Sequence, residues 1–135
     1  GRRSEAILQL ERVRKLDPGN VEVLTNLGIL QAELGQFEQA ELFYLLALEY
    51  DPEHAQAYYA LGVNYVRQQQ IERALEYYLK AGELEPDNPV FANDLGVVYA
   101  RTGRLKQAIS QFQQALKIRP EYDEARRNLA IAQSQ

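Results

Sequence analysis

Cysteine, methionine and tryptophan are missing from this chain, and histidine occurs once, at His54. Without cysteine there is no disulfide and no thiolate metal site, and the redox compartment stays open. With a single imidazole no zinc set can be completed, and a lone histidine in a turn is read as solvated. No apolar run approaches the roughly 20 residues that cross a bilayer, and no charged, then apolar, then small-residue leader opens the sequence. Glycine-rich phosphate loops and nucleophile elbows are also lacking. These absences set the expectation of a soluble chain without catalytic residues, cofactor, metal or membrane insertion, with the cytoplasm as its expected compartment. Because the chain starts at Gly1, partway through a repeating unit, it is expected to be a piece of something longer.

Charge of one sign is missing locally. Residues 21–54 carry seven carboxylates and no lysine or arginine, whereas residues 89–122 carry two carboxylates and five cations. A protein that tracks nucleic acid should present a positive stripe throughout. An acidic block beside a basic one argues against that. The nine tyrosines fall mostly at core offsets, so a base-stacking platform is not expected either.

What is present is a strict period. Leu27-Gly28, Ala40, Tyr44, Ala47 and Pro52 return as Leu61-Gly62, Ala74, Tyr78, Ala81 and Pro86. They return again as Leu95-Gly96, Ala108, Phe112, Ala115 and Pro120, at a step of 34 residues. A fixed interval of this length marks a stack of supersecondary units. Apolar spacing of three and four predicts helices over Ser4 to Leu16, Val21 to Leu34, Phe37 to Tyr50, Ala55 to Gln68, Ile71 to Leu84, Pro89 to Thr102, Leu105 to Ile118 and Asp123 to about Ala132. The chain then divides into the second helix of a truncated unit (1–20), three helix pairs (21–54, 55–88, 89–122) and a last helix (123–135) that caps the array or opens a further pair. Asn20 is the expected cap of the second helix. Gly28, facing Ala40, lets two helices approach, and Gly35 and Gly103 supply left-handed turns. Gln69 stands where those glycines do. Gly82 stands where the frame has Leu48 and Leu116, a lost contact that the neighbours are expected to fill.

On these residues the chain resembles the tetratricopeptide repeat family, whose pattern is Leu-Gly, Tyr, Ala, an aromatic, Ala and Pro at these offsets. Leu24, Tyr58, Tyr65 and Tyr99 add to the match; Gln31, Ala92, Gln69 and Gly82 depart from it. The resemblance implies an all-α fold, a right-handed superhelix of antiparallel helix pairs whose first helices line a concave groove. It also implies a scaffold or adaptor, not an enzyme, that binds a protein or peptide partner. The family's chaperone-tail carboxylate clamp is absent, because Thr25, Ile29, Ala60, Val90 and Asp94 occupy its positions. Its asparagine ladder, known from repeats of an O-linked sugar transferase, looks closer: Asn26 and Asn128 fit, Asp94 lies between, and Ala60 interrupts. An alternative is therefore the repeat arm of a larger enzyme of that kind.

Helical spacing places an apolar rail, Ile29, Val63, Val97 and Ile131, down the groove. Tyr59, Asn26, Asn93 and Asn128 are its expected anchors. Arg67, Arg101 and Arg127 favour acidic residues of an apolar segment, while Glu22 and Glu33 repel them at the other end. On the opposite, convex side Leu42, Leu45 and Leu46, with Phe43 alongside and Leu8 and Leu79 on neighbouring helices, form an apolar patch. Such a patch points to self-association or docking, and so to a possible homo-oligomer.

Overall fold

A computed structural model describes all 135 residues as eight α-helices joined by short turns. In order they are α1 (Arg2–Leu16), α2 (Val21–Glu33), α3 (Phe37–Tyr50), α4 (Ala55–Arg67), α5 (Ile71–Leu84), α6 (Pro89–Arg101), α7 (Leu105–Ile118) and α8 (Asp123–Gln133). Three of the helices end one residue earlier than periodicity alone predicts. Leu34, Gln68 and Thr102 are caps whose N–H groups bond back to carbonyls at several spacings, the usual fraying of a last turn. The tightest packing joins α2 to α3, α4 to α5 and α6 to α7, and each pair then leans on the next.

The start of the first helix is chemically specified in two of the units. Asn20 Oδ1 accepts from the N–H of Val23 at 3.1 Å, and Asn88 Oδ1 accepts from Val90 at 3.1 Å and Phe91 at 3.3 Å. Each satisfies donors that the first helical turn leaves orphaned. Between the helices of a pair the chain turns through one left-handed residue: Gly35 (φ 77°), Gln69 (φ 62°) and Gly103 (φ 78°). The N–H just beyond returns to the carbonyl five residues back, as Gln36 to Gln31, Gln70 to Tyr65 and Arg104 to Tyr99. Gln69 follows the same path with a side chain attached, at a cost of about 1 kcal/mol.

Tyr44, Tyr78 and Phe112 lie across the helix-interior glycines of the partner helix. A Cβ on Gly28 would fall inside the Tyr44 ring's contact radius, one on Gly96 would be 2.6 Å from Phe112, and one on Gly62 would be 3.1 Å from Tyr78. The glycines therefore make room for an aromatic ring rather than for Ala40 and its equivalents, which are themselves fully buried. Around these contacts Leu24, Leu27, Leu61, Tyr65, Leu95 and Val98 are closed off from solvent. The second pair carries an added polar frame: the Tyr65 hydroxyl donates to Glu41 at 2.8 Å, and Asn64 Nδ2 donates to the carbonyl of Phe37 at 3.0 Å. Burial first, and then that bond to Glu41, push the Tyr65 phenol up to about 12.

The helix α1 has no buried residue, because α2 is its principal neighbour. One expectation is corrected here: the gap at Gly82 is not filled. Nothing lies within 4 Å of where its Cβ would be. A leucine half-buried there, as Leu48 and Leu116 are, would contribute about 1 kcal/mol, and glycine inside a helix costs about 1 kcal/mol relative to alanine.

The glycine geometry ranks three substitutions. Gly28→Ala and Gly96→Ala should each destabilise the chain by about 2 kcal/mol, overpacking outweighing the gain in helix propensity. Gly62→Ala, with a looser ring, should be near neutral. Urea unfolding followed by circular dichroism gives the order, and equal effects at all three positions would contradict it.

Candidate functional site

The first helices of successive pairs adjoin along one side, α2 touching α4 and α6 touching α8. There the rail residues gather two by two. Ile29 and Val63 line a hollow of about 270 Å³ with Ala32, Ala60 and the edge of Tyr44. Val97 and Ile131 line a second, of about 370 Å³, with Ala100, Ala132 and Phe112. Each hollow has an arginine on its rim, Arg67 at the first and Arg101 at the second. Apolar walls with a few polar groups are what a binding site for an apolar side chain needs.

Neither arginine has a carboxylate partner among the ion pairs of the chain. Arg67 lays its guanidinium 5.3 Å from the centre of the Phe37 ring. Arg101 donates to Gln69 Oε1 at 3.0 Å. Arg127 is exposed and likewise unpaired. Glu33 lines the first hollow together with Arg67 and is bound by Arg3 at 3.1 Å, so its expected repulsion is partly neutralised, while Glu22 stays exposed.

The expected polar anchors turn out to be spent on the protein itself. Tyr59 stacks on Phe91 at 4.7 Å between ring centres and donates its hydroxyl to Asp94 Oδ2 at 2.6 Å. Asn93 is fully buried, donating to Asp94 Oδ1 at 3.2 Å and to Glu124 Oε1 at 3.4 Å. Asn128 donates to Asn93 Oδ1 at 3.0 Å. The result is a polar seam from α4 through α6 to α8 beneath the groove, in which Asn93 is structural rather than ligand-facing. Thr25, at the same helical offset, is buried too and gives its hydroxyl to the carbonyl of Val21 at 2.7 Å. Asn26 stays exposed but stands apart, in a shallow recess with Glu22, His54 and Gln56. His54 is not the solvated turn residue expected: the turn tucks it beside α2, and its Nε2 is enclosed without a hydrogen-bond partner. Asp94 and Glu124 were not among the expected groove anchors. Their signal in the sequence is the acid at position 94, standing at the ladder offset between Asn26 and Asn128.

On the convex side Leu8 is 63% exposed, Leu42 60% and Leu45 41%, and Leu79 lies open on α5. Phe43 and Leu46 are half-buried against Leu24, Ala47 and Ala57, so they belong to the core as much as to the patch. No three His, Cys, Asp or Glu side chains come close enough to hold a metal ion, and no helix is long and apolar enough to cross a membrane.

Burial raises the Asp94 carboxyl above its ordinary 3.8; hydrogen bonds from Tyr59 and Asn93 oppose the shift without cancelling it, and Glu124 adds repulsion. A carboxyl raised in the folded chain contributes most below its unfolded value, and that contribution is lost as pH rises through the folded value. Asp94→Asn keeps an acceptor for Tyr59, so its stability relative to the parent should improve between about pH 3 and about pH 7. Paired urea titrations at the two pH values check this, and a constant difference would deny it.

With the geometry in hand, the chain can be set beside known proteins. Tetratricopeptide repeat models match residues 45–89, 59–123 and 93–133, and a second such model matches residues 1–62. No curated protein sequence matches. A crystal structure of MamA superposes with a TM-score of 0.82 at 26% identity, over 95% of this chain and 75% of that one. Another, of MamA protein, gives 0.84 at 27% identity, over 99% and 73%. YrrB, whose crystal structure is described as that of a TPR protein with an unusual peptide-binding site, gives 0.83 at 25% identity, over 91% of this chain and 63% of that one. The architecture is the right-handed superhelix of antiparallel helix pairs that such repeats build. Helix pairs at one fixed interval, an aromatic ring over each partner glycine and family models matched along most of its length show that this chain belongs to the tetratricopeptide repeat family.

Proposed function

We propose that the protein is an interaction scaffold whose concave groove binds an extended or helical peptide segment of a partner protein. The observation that carries this reading is the pairing of rail residues into two apolar hollows, each rimmed by an arginine without a carboxylate partner. The fitting segment presents apolar side chains to Ile29 and Val63 and to Val97 and Ile131, with acidic residues toward Arg67 and Arg101. Arg127 and the exposed Asn26 supply polar contacts further along. The similarity to YrrB, a protein described as having a peptide-binding site, supports the class of ligand. Arg67→Glu with Arg101→Glu should weaken an acidic, apolar peptide about tenfold or more, the worth of about 1.4 kcal/mol of charge complementarity. Isothermal titration decides it, and an unchanged affinity would refute the assignment of the arginines.

A second reading rests on Leu8, Leu42 and Leu45, which expose apolar area on the opposite face. Large contiguous apolar patches on soluble proteins commonly mark an interface. Here they would join two copies of the chain. Light scattering should then show an oligomer that Leu45→Lys converts to monomer. A monomeric parent, unaltered by the substitution, removes this reading.

A further inference from the structure

We infer that the convex face carries a second, separate binding slot at Gly82, shaped for one large apolar side chain of a partner protein that has a lysine or arginine beside it. Between α5 and α7, over the outer side of α6, lies a cavity of about 330 Å³ whose apolar wall is Leu79, Phe91, Ala92 and Leu95. It exists because Gly82 has no side chain where the neighbouring pairs have Leu48 and Leu116. The volume stands at the low end of ligand pockets, about 300–1,000 Å³, and suits one large side chain.

A glycine inside a helix, in place of a leucine that would bury apolar surface, breaks two local rules at one position without a compensating contact. Such inconsistencies gather at functional sites. The rim states what the occupant carries. Glu83 and Glu85 stand on one edge and the amides of Gln111 and Gln114 on the other, and no cation lines the cavity. Lys80 reaches Glu83 only at 3.8 Å, on an exposed surface. A basic partner residue is therefore matched, and an acidic one is repelled. That excludes a second copy docking through Leu42 or Leu45, which sit among Glu38, Glu41 and Glu49.

The test selects phage-displayed twelve-residue peptides on the whole chain and counter-selects on Gly82→Leu. Enriched peptides should carry a large apolar residue within one helical turn of Lys or Arg. They should bind at least tenfold more weakly to Gly82→Leu and to the Glu83→Lys, Glu85→Lys pair, and equally well to Val63→Asp. The double-lysine variant keeps the test open should Gly82→Leu fold poorly. The inference is overturned if no peptide separates parent from variants, if the selected peptides lack a basic residue, or if Gly82→Leu merely turns a dimer into monomer. Loss on Val63→Asp instead would assign the peptides to the groove, overturning the slot while leaving the scaffold reading intact.

Discussion

Everything in this architecture depends on a ring lying flat against a backbone that has no Cβ. Tyr44, Tyr78 and Phe112 each cover a glycine of the preceding helix, and that contact sets how close the two helices of a pair can come. Once the separation is fixed, Leu24, Leu27, Leu61 and Leu95 close around it. Because the same contact recurs at one sequence interval, each pair presents the same surface to the next. The array is thereby extended by repetition rather than by a central core, as in other solenoids.

An array without a centre keeps both its faces, and here they differ in chemistry. The inner face alternates apolar hollows with a polar seam in which Tyr59, Asp94, Asn93, Glu124 and Asn128 satisfy one another. Its free cations stand above this floor, at the edges of the hollows. The outer face is apolar around α3 and notched beside α5. Both faces are open strips along the length of the array.

The fold was largely legible in the sequence because its determinants are local or strictly periodic. Prolines, Asn20 and the glycine turns mark helix ends through backbone constraints that need no tertiary knowledge, and Gln69 betrayed its left-handed turn only by standing in a glycine's place. The groove was half legible. Helical spacing gives the direction in which Asn93 and Tyr59 leave their helices but not how far the neighbouring helix rises over them. Once α8 and α6 come together, Asn93 is covered and Glu124 is brought to it. For the same reason spacing does not show that Phe43 and Leu46 are half-covered by Leu24, Ala47 and Ala57. Position 82 reads in the sequence as a missing contact but not as an open space, because a sequence does not show whether the neighbours close over it.

The polar seam also distributes stiffness unevenly. Between α4, α6 and α8 each neighbouring pair of inner helices is laced by side-chain hydrogen bonds, whereas Thr25, at the matching place on α2, turns its hydroxyl back onto its own helix. Only apolar contact joins α2 to α4, but the same junction is pinned from behind, where Tyr65 and Asn64 of α4 donate to Glu41 and to the carbonyl of Phe37 on α3. The directed bonds thus lie on the outer side of the array at its start and on the inner side further along, so the Ile29–Val63 hollow is held from its back and the far half of the trough from its floor.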